Sequence, residues 1–102
     1  MIVQNKEQIS KRMIANRAEF DKLGVERFGL FGSFVRGDQT EQSDVDLIVE
    51  FRPGKKNFDS FMELSFLLED ILGRKVDLLT PESLSPHIGP KILAEVEYGL
   101  ID

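Results

Sequence analysis

Two aspartates one residue apart, Asp44 and Asp46, open the most apolar run of the chain, DVDLIVEF at 44–51, and ten residues separate them from a Gly-Ser pair, Gly32-Ser33. Aspartate is a poor strand residue, so a pair of them in a strand-like segment calls for a reason other than folding. Side chains alternate along a strand, which sends Asp44 and Asp46 to one face and Val45, Leu47 and Val49 to the other. Carboxylates held this close repel and raise each other's pKa unless a cation sits between them. Oxygen donors with no His or Cys beside them suit magnesium or manganese better than zinc.

The Gly-Ser pair offers the complementary chemistry. Gly32 ends a strand-like segment and Ser33 opens a short helix, whose free N–H groups suit a phosphate. Without a Cβ, Gly32 lets backbone approach a ligand closely. Ser33 adds a hydroxyl. Arg36, one turn on, can add a charge-assisted contact or can simply pair with Asp38 or Glu41 at the surface. Asp77 interrupts a later apolar run, KVDLLT at 75–80. It is the candidate third carboxylate, able to complete a metal site and accept a proton. Each feature has a bland alternative taken alone: a Ser cap at a strand–helix turn, charges on a strand edge. Together they describe a phosphate cradle facing metal carboxylates, the pairing that two-metal transfer at phosphorus needs.

The elements that must position these residues are legible from periodicity. Apolar Ile9, Met13, Ile14, Phe20 and Leu23 suit an amphipathic helix over 5–23, ended by Gly24. Strands follow over 25–32, 44–51 and 75–80, the second leading into the turn RPGK. Between the last two, Phe58, Phe61, Met62, Leu64, Leu68, Ile71 and Leu72 predict a helix over 58–73 with one broad buried face. Residues 82–102 read as a turn containing His87, a helix near 89–97 and a fraying end, with Glu95, Glu97 and Tyr98 as surface and packing residues. The alternation of helix and strand predicts an α+β (α/β-like) fold, a small mixed β-sheet with helices packed mainly on one face.

Composition narrows the classes. A chain of 102 residues, 41% hydrophobic and 30% charged, is expected to form a single domain over 1–102. Its net charge of −5 argues against a broad nucleic-acid surface. A single histidine and no cysteine remove thiolate metal sites and most His-dependent catalysis, and fit a cytoplasmic protein. No segment is long and apolar enough for a membrane span, and the N-terminus carries no signal-peptide core. The glycines match neither a dinucleotide fingerprint nor a P-loop.

The pattern Gly32-Ser33-x10-Asp44-x-Asp46, with Arg36-Gly37 and SDVDLIVEF, resembles the signature of the DNA polymerase β-like nucleotidyltransferase superfamily and its minimal branch, the MNT proteins. That resemblance implies the polymerase β-like nucleotidyltransferase fold, with Asp44 and Asp46 binding two Mg2+ ions. Asp77 would bind the catalytic metal and act as base, while Gly32 and Ser33 would hold the nucleotide triphosphate. It implies ATP as donor and, as partner, a HEPN-domain toxin whose tyrosine receives AMP, so that the chain serves as the antitoxin of a HEPN/MNT pair. Two other readings stay open: an antitoxin that acts by complex formation alone, and transfer of a nucleotide to a small molecule. Template copying has neither the charge nor the room.

Overall fold

The computed structural model describes residues 2–100, and in it the segment 5–23 forms two helices rather than one: α1 (Lys6–Ala15) and α2 (Arg17–Lys22). Asn16 makes the break, with φ −112° and ψ 16°, and its side-chain amide donates to the Arg12 carbonyl at 2.8 Å. That bond satisfies a carbonyl the end of α1 would otherwise leave unpaired. Ile9, Met13 and Phe20 reach the core as the spacing predicts, whereas Ile14 stays exposed. Gly24, at φ +82°, turns the chain into β1 (Val25–Phe31).

Among the described residues the sheet has four strands in the order β3-β2-β1-β4, where β2 is Val45–Phe51, β3 is Val76–Leu79 and β4 is Glu97–Tyr98. β1 runs antiparallel to both β2 and β4, and β2 runs parallel to β3, so the sheet is mixed as predicted. A parallel pair needs a long crossover, which α4 (Phe58–Leu72) supplies. Asn57 caps its start by accepting from the Ser60 amide at 2.8 Å, and Gly73 ends it in the left-handed conformation.

The core lies between the sheet and α1, α2 and α4. Phe28, Leu30, Val45, Leu47, Val49, Val76 and Leu78 come from the strands and meet Ile9, Met13, Phe20, Leu64, Leu68 and Leu72 from the helices. The buried stripe of α4 is narrower than its sequence suggests. Phe58 is 76% exposed and Phe66 is also outside; Leu64, Leu68 and Leu72, one turn apart each time, are fully buried, and Phe61, Leu67 and Ile71 pack against the core only partly buried.

The C-terminal region differs from expectation. After a 3-10 turn at Pro81–Ser83, α5 spans Gly89–Glu95, and residues 97–98 form β4 rather than fraying. His87 sits exposed in a turn. Residues 101 and 102 lie outside the described residues. Val96, between α5 and β4, lies on the second face of the sheet, and Gly29 makes room for it: a Cβ there would collide with Val96 Cγ1 and lie 2.9 Å from Ile48 Cγ2. Helices thus pack mainly on one face. Among the described residues no helix is long and apolar enough to cross a membrane.

Candidate active site

Strand register assembles the site. Phe31 of β1 pairs with Asp46 of β2, and Asp46 pairs with Asp77 of β3. Gly32, the residue after β1, therefore lies beside Asp46, and the two aspartates stand abreast on the face opposite the core. Asp44 precedes β2 instead of belonging to it, half-buried and within electrostatic reach of Asp46. Asp46 is half-buried and its carboxyl is pushed up to about 6. Burial is the largest cause, followed by the charge of Asp77 and a hydrogen bond shared with it, and then by Asp44; Arg36 opposes the shift.

Gly32 has a different task from the one its sequence context suggests. At φ +81° and ψ −153° it occupies a conformation few other residues tolerate. A Cβ added there would strike Asp46 Oδ2 and stand 3.0 Å from Asp46 Cγ. The missing side chain makes room for the carboxylate, joining the two halves of the motif. Ser33 begins α3 (Ser33–Arg36), a single turn, so little helix dipole is available and any anion must be met by individual donors. The Ser33 hydroxyl makes no hydrogen bond among the described residues, while the Ser33 carbonyl accepts from the Gly37 and Asp38 amides.

Arg36 does pair with Asp38, at 3.4 Å, but its shorter partner is Glu95 of α5, at 2.7 Å from Nη1. The other oxygen of Glu95 accepts the Gly32 amide at 3.1 Å. The Glu95 carboxyl is held below the usual range by Arg36 first and by the Gly32 N–H second. Sequence spacing assigned Glu95 to the surface, and no local signal marks it, since 63 residues separate it from Gly32.

Arg74 was also missed. It is only 8% exposed and donates from Nη1 to the carbonyls of Thr40, Glu41 and Ser43, and from Nε to Val3. Its guanidinium lies 5.1 Å from the centre of the Phe34 ring in α3. This one side chain sets the course of the loop between the Gly-Ser turn and Asp44. Ser43 assists, its hydroxyl accepting the Thr40 amide at 2.8 Å.

The donor chemistry fits a hard divalent cation. Among the described residues no group of three or more acidic or His side chains converges tightly enough to hold a metal alone. Asp46 and Asp77 do converge, with the mutual repulsion a cation would relieve. Magnesium commonly takes one or two carboxylates and completes its shell with water and substrate phosphates.

The nucleotidyltransferase domain family matches the chain over residues 11–98. The protein adenylyltransferase MntA of Thermococcus cleftensis is 40% identical over 93 residues, which cover 90% of this chain and 93% of that protein. A solved structure described as a minimal nucleotidyltransferase aligns with a TM-score of 0.77 and 31% identity, across 92% of this chain and 95% of the other. A chain of the complex between the tri-AMPylated Shewanella oneidensis HEPN toxin and MNT antitoxin shares the fold at a TM-score of 0.55 and 21% identity, over 82% of this chain and 68% of its own. Motif, strand register and similarity over most of the length agree, and the chain belongs to the nucleotidyltransferase domain family, as an enzyme of its minimal MNT branch.

Proposed function

We infer that this nucleotidyltransferase transfers AMP from ATP to a hydroxyl, that of a tyrosine, on a HEPN-domain toxin in the cytoplasm, and so acts as its antitoxin. The observation that carries it is the adjacency of Asp46 and Asp77 across β2 and β3, beside the Gly32-Ser33 turn. Support for a protein acceptor is the 40% identity to a relative named as a protein adenylyltransferase. Support for a HEPN partner is fold-level, from the Shewanella complex and the motif resemblance.

Asp44, Asp46 and Asp77 would hold the two Mg2+ ions, which supply charge neutralisation at the entering and leaving oxygens. Ser33, whose hydroxyl makes no hydrogen bond among the described residues, and Arg36 would receive the outer phosphates. The acceptor oxygen bonds to the α-phosphorus as the bond from that phosphorus to the pyrophosphate oxygen breaks. Asp77, the more exposed carboxylate, takes the hydroxyl proton, and pyrophosphate leaves.

The test incubates the chain and its partner with ATP labelled at either the α- or the γ-phosphate, with and without Mg2+. Label reaching the partner from α-labelled ATP alone, lost in Asp46→Asn, is the expected result. Toxin inhibition that survives Asp46→Asn, with no label transferred by the unaltered chain, would assign neutralisation to complex formation instead.

A further inference from the structure

We propose that Glu95 is a positioning residue for the nucleotide site, fixing with one carboxylate both the backbone of the Gly32-Ser33 turn and the guanidinium of Arg36. What the site binds rests on the proposed function; the positioning itself rests on geometry. Oε2 of Glu95 accepts the Gly32 amide at 3.1 Å and Oε1 accepts Arg36 Nη1 at 2.7 Å. The Glu95 side chain is 25% exposed: its bond from the Gly32 amide is partly buried, while its pairing with Arg36 lies at the surface.

A carboxylate can position others only if it is itself held. The segment after Glu95 is tied down from several sides. Val96 fills the space left by Gly29, a space that Ile48 and Tyr98 also border. Gly29 pairs with Tyr98 and Leu30 with Glu97, while Arg27 lies 4.0 Å from the centre of the Tyr98 ring. Lys6 pairs with Glu97 at 3.2 Å, and the Ser10 hydroxyl donates to the Leu100 carbonyl at 2.8 Å. Glu95 therefore projects from an anchored strap.

Arg36 is arranged to profit. Its side chain is 53% exposed, with Nη1 on Glu95 and Nε 3.4 Å from Asp38. Its Nη2 makes no hydrogen bond among the described residues. A long, flexible cation is thus oriented before a phosphate arrives, which removes ordering entropy that binding would otherwise cost. A carboxylate acting as a plug, competing with phosphate for the same donors, would have the opposite effect on affinity, and the two roles differ in sign.

The test compares Glu95→Ala, Glu95→Gln, Arg36→Ala and the Glu95→Ala/Arg36→Ala pair. Glu95→Ala is expected to raise KM for ATP roughly tenfold with kcat changed by less than about threefold, because a preorganised charge-assisted contact is lost rather than a reacting group. Glu95→Gln, which keeps an acceptor for the Gly32 amide but not the charge on Arg36, raises KM about threefold, and it carries the test if the alanine variant does not fold. The double variant is expected to cost less than the product of the two single effects, as coupled residues do. A lower KM in Glu95→Ala or Glu95→Gln, an unchanged KM, or fully multiplicative single effects would overturn the proposal. Nuclear magnetic resonance gives a readout free of activity: hydrogen exchange at the Gly32 amide quickens about tenfold in Glu95→Ala and the Arg36 Nε order parameter falls. If the unaltered chain neither binds nor transfers nucleotide, the proposed function fails on its own, and unchanged Gly32 exchange and Arg36 order in Glu95→Ala would then overturn the positioning role separately.

Discussion

On the face of the sheet turned to α1, α2 and α4, Phe28, Leu30, Val45, Leu47 and Val49 are buried among aliphatic side chains, whereas their neighbours on the same strands, Arg27, Asp46 and Glu50, keep polar groups at the opposite surface. The helical face is a matter of volume and hydrophobicity, which many side-chain sets can satisfy. The site face is a matter of register. A slip of one residue in β2 would bring Asp46 into the core and expose Leu47. Core burial therefore holds the register that aligns Asp46 with Asp77 and Gly32. The site in turn works against stability, since Asp46 is a half-buried carboxyl with like charges beside it.

Adjacent substitutions in β2 should break this comparison most sharply. Asp46→Asn is expected to lower nucleotidyl transfer by roughly a thousandfold or more without lowering the melting temperature, measured by α-label transfer and calorimetry. Gly32→Ala should cost about a hundredfold in transfer, and about 1–3 kcal/mol in stability, because an alanine is strained at φ +81° and its methyl displaces Asp46. Leu47→Ala, one residue from Asp46 but on the other face, should cost about 3 kcal/mol of stability by chemical denaturation, while kcat/KM of the folded protein changes less than about twofold.

The smallest effect separates the faces by pH. The folded-state pKa of Asp46, about 6, lies above the ordinary aspartate value near 3.8, so the folded chain binds this proton more tightly than the unfolded one. Its contribution is fully favourable below pH 4 and is lost as pH rises through 6. The melting temperature of Asp46→Asn relative to the unaltered chain should accordingly rise between pH 4 and 6 and level off above. Millimolar Mg2+ should shrink that difference by binding only the aspartate form. A flat difference across this range would mean that Asp46 is not desolvated in the way its neighbours dictate.

Much of this was written locally. The alternation in 44–51 separates Asp46 from Leu47, the apolar spacing of 58–73 and its glycine end mark α4, and the spacing from Gly32-Ser33 to Asp44 marks the motif. These depend on residues within a turn or a strand of one another, where backbone period and capping chemistry decide the outcome. Asp77 stands out in the sequence as an aspartate interrupting an apolar strand-like run, and the parallel register sets it beside Asp46.

What the sequence by itself determined is which residues are able to do chemistry and which faces of their elements they share. Only the tertiary structure decided how they are held. The break at Asn16, the narrow buried stripe of α4, the strand at 97–98, the clasp of Arg74 on carbonyls 31 to 71 residues away and the bridge from Glu95 to Gly32 and Arg36 carry no local mark. The physical reason is range. Periodicity and propensity act over a few residues, but hydrogen bonds and steric fit act between whatever the folded chain brings together. A glycine such as Gly29 acquires its meaning only when Val96, 67 residues later, fills the space it leaves.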